Sequence, residues 1–292
     1  MGYVIAPRLN AAGRLAHAER SLRLLLASSP EEARALALEL EAANRERQRL
    51  TDAALERARE AVLAAPLPPL LLVAHEEFAP GVVGLVAGRL VEEFYRPAVV
   101  CALDAAEARG SARSIPEFNI IAALRRCGHL FLRFGGHPQA AGFLMERGRL
   151  EELRRLLVAE AARELAGVDL RPALTLDAEV GLGRVAVGEL VALRELEPYG
   201  MGNPRPVLLA RRLRLLEARQ AGTNGAHLRL KLQASPDGGR ANGGAVWHAI
   251  AFRQGDRLPT GELLDVAFSV AVDRWGGHDV LGLRVLDFRP SA

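Results

Sequence analysis

Lysine is almost missing from this chain: of 38 basic residues, 37 are arginine and Lys231 is the one lysine. Cysteine is also scarce, with only Cys101 and Cys127 in 292 residues. Two thiols so placed fit neither a metal-ligand spacing nor a disulfide framework. They read as reduced, small apolar core residues of a cytosolic protein. No run of 18 apolar residues occurs, which argues against a transmembrane helix and a membrane partner. The N-terminus lacks a basic stretch followed by an apolar one, so no signal peptide is expected. Clustered acidic ligands are missing too: there is no Asp-x-Asp, and the one His-Asp neighbour pair, His278-Asp279, sits in a Gly-rich turn. Metal-assisted phosphodiester hydrolysis needs clustered carboxylate and imidazole ligands, so no metal site is expected from this chain's own residues.

What remains is globular in composition, half apolar and a quarter charged. The length suggests about two domains. Net charge is only +3, so the preference for arginine is one of kind. It reads either as the codon usage of a GC-rich genome or as phosphate recognition, because guanidinium forks match phosphate oxygens bidentately. Only the placement of individual arginines separates these readings.

Residues 1–14 read as a strand end at Tyr3 to Ile5 running into an Asn/Gly loop, and residues 15–27 as a short helix. Ser29, Pro30 and Glu32 mark the start of a long helix: a capping hydroxyl, a proline at the first helical position and a capping-box glutamate. Nothing breaks it before Ala65, and prolines 66, 68 and 69 end it. Its polar middle, Glu41 to Arg49, suits a connector between two bodies. From residue 70 strands and helices alternate: strands at 70–75, 97–103, 107–115 and 140–146, helices at 81–94, 118–128 and 150–165. That pattern predicts a sheet flanked by helices. After Gly167, six strand-like segments follow at 173–180, 207–220, 227–233, 245–252, 262–274 and 279–289, joined by turns such as GTNG (222–225) and SPDGG (235–239). These predict a small β-barrel of OB type, with Trp247, Phe252, Phe268 and Trp275 as aromatic handles.

Three motifs could hold an anion. In PRLNAAGR (7–14), Arg8 and Arg14 flank Asn10 and could converge, or the segment is an ordinary exposed loop. In GSARS (110–114), Ser111 and Arg113 project to one face of a strand beside Ser114, as a phosphate clamp or as a solvated face. In FGGHPQAAG (134–142), Gly135 and Gly136 let the backbone approach a ligand, and His137 follows in a run without other charge.

Taken in this order, the motifs resemble the DHH phosphoesterase superfamily, and within it the RecJ family of single-stranded-DNA-specific exonucleases. PRLNAAGRL (7–15) looks like the end of a DHH domain, GSARSIPEFNI (110–120) and GGHPQAAG (135–142) like the signatures of a DHHA1 domain, and EPYGMGNPRPVL (197–208) like the segment leading into the family's OB domain. Ala112 and Glu117 stand where the family often has glycine, and Glu117 adds negative charge near the expected phosphate site.

The resemblance implies the end of a DHH domain at 1–28, a connector helix at 29–66, an α/β DHHA1-type domain at 67–167 and a small OB-type β-barrel at 168–292. It implies a part of a 5′→3′ exonuclease of DNA repair and recombination, cytoplasmic and inactive alone. The partner would be a DHH domain, in cis or in trans, that holds Mn²⁺ or Mg²⁺. Arg8, Asn10, Arg14, Ser111, Arg113, Ser114, Gly135, Gly136 and His137 would bind phosphate. Arg212, Arg214, Arg229, Lys231, Trp247 and Trp275 would grip single-stranded DNA, unless the two tryptophans are core. The alternatives are a non-catalytic single-stranded nucleic-acid-binding protein and a phosphodiesterase for small oligonucleotides.

Overall fold

The computed structural model describes residues 4–15, 17–183, 187–200, 202–234, 244–275 and 278–291, with backbone only for Val187, Thr223, 272–275 and 278–280. The chain forms two compact units, residues 1–172 and 173–292.

The first unit runs α1 (Ile5–Leu15), α2 (Glu19–Leu26), α3 (Pro30–Leu63), β1 (Leu71–His75), α4 (Val83–Phe94), β2 (Ala98–Leu103), β3 (Glu107–Arg113), α5 (Ile120–Arg126), β4 (Phe131–His137), β5 (Ala140–Glu146) and α6 (Leu150–Glu164). The start corrects the sequence reading. Ile5 opens a helix, not a strand, and Asn10 and Gly13 lie within it; Tyr3 is outside the described residues. Ala11 and Ala12 are buried and α1 packs on α3, and this packing overrides the weak helix propensity of Asn10 and Gly13. The next helix begins at Glu19, later than expected.

Ser29 caps α3 as expected, its hydroxyl accepting from the Glu32 amide at 3.2 Å, with Pro30 at the first position. The buried residues of α3 are Leu36, Leu40, Asn44, Thr51, Ala54, Ala58 and Val62. They recur at helical spacing as one stripe that stays continuous through the polar middle, with half-buried Arg47 between Asn44 and Thr51. Asn44 Oδ1 accepts from Arg47 Nε at 3.3 Å and Nη2 at 3.1 Å, and Thr51 Oγ donates to the Arg47 carbonyl at 2.7 Å.

The sheet has the order β1-β2-β3-β5-β4, parallel at β1–β2 and antiparallel elsewhere. Strand β4 was not anticipated. It is an exposed edge, and its Gly135-Gly136 pair reads as a loop because glycine is a poor strand former. On one face, α3 and α4 cover β1 and β2 through Ala58, Val62, Val86, Leu90, Val73 and Val100. A fully buried side chain such as Leu90 stabilises by about 1.5–3 kcal/mol. The other face is sealed by α5 and α6 through Leu124, Leu153, Leu157, Phe143 and Met145. Helix α4 also reaches β3, and beyond it, over β5 and β4, the first face stays open.

The second unit comprises β6 (Ala178–Glu179), α7 (Val187–Ala192), a 3₁₀ turn (Leu193–Leu196), β7 (Leu208–Ala221), β8 (His227–Ala234), β9 (Ala245–Ala251), β10 (Leu263–Trp275) and β11 (His278–Pro290). Strands β7-β8-β9-β11-β10 close through β10–β7 into a five-stranded barrel, parallel only between β9 and β11. Five of the six expected strands are its staves. The sixth, 173–180, shrinks to a two-residue strand beside β7, and the helix α7 was not foreseen. The SPDGG turn falls outside the described residues. Along β8, Leu228, Leu230, Leu232 and Ala234 are buried, while His227, Arg229, Lys231 and Gln233 face outward. Buried Asp265 of β10 sits near the barrel's closure. It accepts from Ser291 Oγ at 2.8 Å, from the Arg212 amide at 3.3 Å, and from Arg211 and Arg289 at 3.3 and 3.4 Å.

Candidate nucleic-acid interface

Strand register brings two of the three motifs onto the open face of the first sheet. Ser111 on β3 is aligned with Gly142 on β5, and Gly142 with Gly135 on β4. One step along, Arg113 is aligned with Ala140, and Ala140 with His137. Aligned residues share a face, so Ser111 and Arg113 stand on one side and His137 on the other. Between them lies a floor with nothing larger than a methyl group. Gly136, on the opposite face, is glycine by necessity: a Cβ there would come within 2.4 Å of the Ala140 carbonyl oxygen.

The start of α4 borders this floor. A Cβ at Gly84 would lie 2.9 Å from Ser111 Oγ and 3.0 Å from Arg113 Nη2. A Cβ at Gly81 would lie 1.9 Å from the Arg14 carbonyl oxygen, and Arg14 Nη1 donates to the Gly81 carbonyl at 3.4 Å. Glycine at 81 and 84 therefore lets α1 and β3 both approach the first turn of α4. Val82 supplies no side-chain cap there, and the positive end of the helix dipole favours an anion.

Arg113 donates from Nη1 to Ser111 Oγ at 3.1 Å and to the Ala112 carbonyl at 2.8 Å. Its guanidinium is pulled below its ordinary pKa, first by burial and then by the charge of Arg14. Arg47 on α3 is pulled down in the same way, by burial and then by Arg14, with Asp52 acting in the opposite direction. Three guanidinium groups thus stand within electrostatic reach through Arg14. Such mutual repulsion is the condition an anion relieves. Arg47 escaped sequence reasoning because it lies in the most polar stretch of α3; the signal was its phase, in line with Leu36, Leu40, Asn44 and Thr51.

Other expected residues are engaged elsewhere. Arg8 is ion-paired with Glu41, whose carboxyl it holds below the usual range, and donates to the Val4 carbonyl at 2.7 Å. It does not converge with Arg14, because six residues on a helix are far from in phase. Asn10 is exposed on α1. Ser114 is buried and donates to the Phe118 carbonyl at 2.6 Å, so its hydroxyl closes a loop and is not free for phosphate. Glu117 accepts from Tyr95 Oη at 3.0 Å, past the C-terminal end of α4 and away from Gly84. Among the described residues, no three His, Cys, Asp or Glu side chains gather where they could hold a metal ion. The residues that do gather are cationic and do not fit one.

On the barrel, the outer faces of β7, β8, β9 and β11 line a groove of about 410 Å³ that includes Arg219, Arg229, Lys231, His248 and Ile250. Arg219 is aligned with Arg229, Arg229 with Ile250, and Ile250 with Arg284, a basic row across four strands. Glu217, which lines the same groove, is ion-paired with Arg219 at 3.5 Å. Phe252, 43% exposed, packs edge-on to His227 at 5.1 Å, and the Arg284 guanidinium lies 5.2 Å from its ring centre. Trp247 is 5% exposed and donates from Nε1 to the Leu182 carbonyl at 3.2 Å, so it belongs to the core and offers no stacking face. Phe268 is buried as well. The Trp275 side chain lies outside the described residues. Arg212 and Arg214 are exposed on β7 and do not line the groove.

Comparison with known proteins bears on the domains and the fold. The DHHA1 domain family matches residues 61–163 and the RecJ OB domain family residues 176–287. The single-stranded-DNA-specific exonuclease RecJ of Thermus thermophilus is 35% identical over 99% of this chain and 40% of its own length. That of Bacillus subtilis is 31% identical over 98% of this chain and 36% of its own length. The chain thus spans well under half of each. The crystal structure of Thermus thermophilus RecJ in complex with Mn²⁺ superposes with a TM-score of 0.80 at 33% identity, covering 99% of this chain and 41% of that one. With a DHHA1 domain, a RecJ OB domain and this likeness along nearly its whole length, the chain belongs to the RecJ family.

Proposed function

We propose that this chain is the substrate-holding part of a 5′→3′ exonuclease acting on single-stranded DNA in repair and recombination, in the cytoplasm. The observation that carries the reading is the convergence of Arg14, Arg113 and Ser111 on the first turn of α4, beside a glycine floor facing His137. A phosphate monoester is the anion that suits it: two negative charges, several acceptor oxygens and a size matched by forked donors. Arg113 and Ser111 hold the 5′-terminal phosphate, Arg14 neutralises it, and His137 orients the adjoining sugar-phosphate across the floor. The groove on β7, β8, β9 and β11 grips the strand through Arg219, Arg229, Lys231 and Arg284, with Phe252 as the stacking ring.

The relatives' crystals contain Mg²⁺ or Mn²⁺. Because the residues gathered in this chain do not fit a cation, hydrolysis belongs to a DHH domain acting in cis or in trans, and the chain alone is inactive. Residues 1–28 are the end of such a domain, 29–66 a connector helix, 67–167 the DHHA1 domain and 168–292 the OB domain.

Binding of a 5′-phosphorylated oligonucleotide and its 5′-hydroxyl twin tests the reading. Hydrogen bonds to charged groups contribute about 1.5–3 kcal/mol, so the phosphorylated strand binds about tenfold tighter or more. Equal affinities refute the phosphate role. Release of mononucleotides by purified, nuclease-free 1–292 with Mn²⁺ refutes the inactivity.

A further inference from the structure

We propose that the open sheet face continues beyond Ser111 as a short track for internucleotide phosphates, held by Arg109 and Arg133. The proposal rests on the reading that Ser111 and Arg113 take the terminal phosphate, and it adds a second binding row to that site. Arg109 on β3 is aligned with Leu144 on β5, and Leu144 with Arg133 on β4. Both arginines therefore rise from the same face as Ser111, Arg113 and His137, one on either side of Leu144. Both are exposed, and among the described residues neither forms an ion pair. The carboxylate that Arg109 does feel, Asp104, is anchored on the Ala106 and Glu107 amides at 2.9 and 2.7 Å.

The ground between the two rows is clear. Gly142 and Gly135 separate the Arg113 row from the Arg109 row, and a Cβ at Gly135 would meet nothing within 4 Å. From Arg113 to Arg109 is four residues of strand, about 13 Å at 3.3 Å per residue, room for more than one nucleotide step. The next row sets the limit: Glu107 is aligned with Glu146, and two carboxylates repel a polyanion. A track with a basic mouth, a bare middle, a basic second row and an acidic end fits a few nucleotides of one strand. Duplex DNA is too wide for a strip three strands across.

The test uses the full chain and 5′-phosphorylated oligothymidylates, a dinucleotide and a hexanucleotide, in salt titrations. In Arg109→Gln/Arg133→Gln the dinucleotide keeps its preference for phosphate over hydroxyl. The slope of log affinity against log salt for the hexanucleotide falls by about 1.4, at about 0.7 for each phosphate no longer neutralised. The same fall appears in an Arg229→Gln/Lys231→Gln background, which separates the track from the barrel. Glu107→Gln/Glu146→Gln tightens the hexanucleotide several-fold. An unchanged hexanucleotide slope in the arginine variant overturns the track. Loss of the phosphate preference in the unmodified chain overturns the terminal-phosphate reading instead, and the slope still decides the track.

Discussion

Trp247 and Phe252 sit near one another in sequence and differ in fate, so substituting each separates folding from binding in the barrel. Trp247 is buried, with its indole N–H on the Leu182 carbonyl. Removing a buried aromatic side chain to alanine costs about 3–5 kcal/mol. For a domain of this size that lowers the melting temperature by on the order of 15 °C. Trp247→Phe keeps most of the ring volume and loses one hydrogen bond, about 1 kcal/mol. Phe252→Ala leaves the core intact, because the ring lies against His227 and Arg284 on the outer face. If the ring stacks on a base, its loss costs about 1–3 kcal/mol of single-strand affinity, or roughly 5- to 150-fold. Calorimetry on the full chain reads the first effect, and fluorescence anisotropy with a labelled oligothymidylate reads the second. Unchanged affinity in Phe252→Ala, or a tenfold affinity loss in a folded Trp247→Phe, contradicts the assignment of the two rings.

Three further outcomes are expected. Arg113→Gln abolishes the 5′-phosphate preference while the urea midpoint moves little, since among the described residues Arg113 hydrogen-bonds only to Ser111 and the Ala112 carbonyl; a preference that survives contradicts its role. Burial pushes the Asp265 carboxyl up, but Ser291, the Arg212 amide, Arg289 and Arg211 together hold it below its ordinary value. Its stabilisation is present above the unfolded carboxylate pKa of about 3.9 and fades as pH falls through the lower folded value. Asp265→Asn therefore flattens the acid limb of barrel stability against pH, and an unaltered limb speaks against the site. Gly110→Ala destabilises the first unit, because its Cβ would come within 2.1 Å of the Phe143 ring; overpacking of this kind costs about 1–3 kcal/mol, readable in a denaturant melt.

The parts legible in sequence were those with a strict period or a punctuating residue. Ser29-Pro30 and the prolines after Ala65 framed α3, and HLRLKLQ (227–233) read as the strand that became β8, whose outward basic residues the structure then showed. Long-range packing was not legible. Ile5–Leu15 is a helix that packs on α3 with Ala11 and Ala12 buried, a contact no local pattern announces. Strand β4 hid behind two glycines, of which Gly136 answers to the close approach of β5 while a Cβ at Gly135 would meet nothing within 4 Å. Within the candidate site, Ser111, Arg113, Gly135 and His137 were visible as motifs, and their register supplied what spacing could not. The ion pair of Arg8 with Glu41 and the hydrogen bond of Ser114 to the Phe118 carbonyl are set by the fold and were not legible in the motifs.

The polar centre of the α3 stripe ties the anion site to a rotational setting. Asn44 and Thr51 hold Arg47 at one azimuth on a helix whose flanking contacts are apolar at both ends. Sliding α3 by one turn would set Leu40 in the place of Asn44 and leave a buried amide against aliphatic neighbours, so the helix is keyed against slippage. One residue inserted between Leu40 and Asn44 would turn Arg47 by about 100° relative to the helix's first half and carry it about 1.5 Å along the axis. The helix α1 that carries Arg14 is tied to α3 next to Leu40 by the Arg8–Glu41 ion pair. The spacing of charge around Arg14 thus reports the winding of a 34-residue helix, and a strain that unwinds the helix at its centre would be felt there as a change in anion affinity.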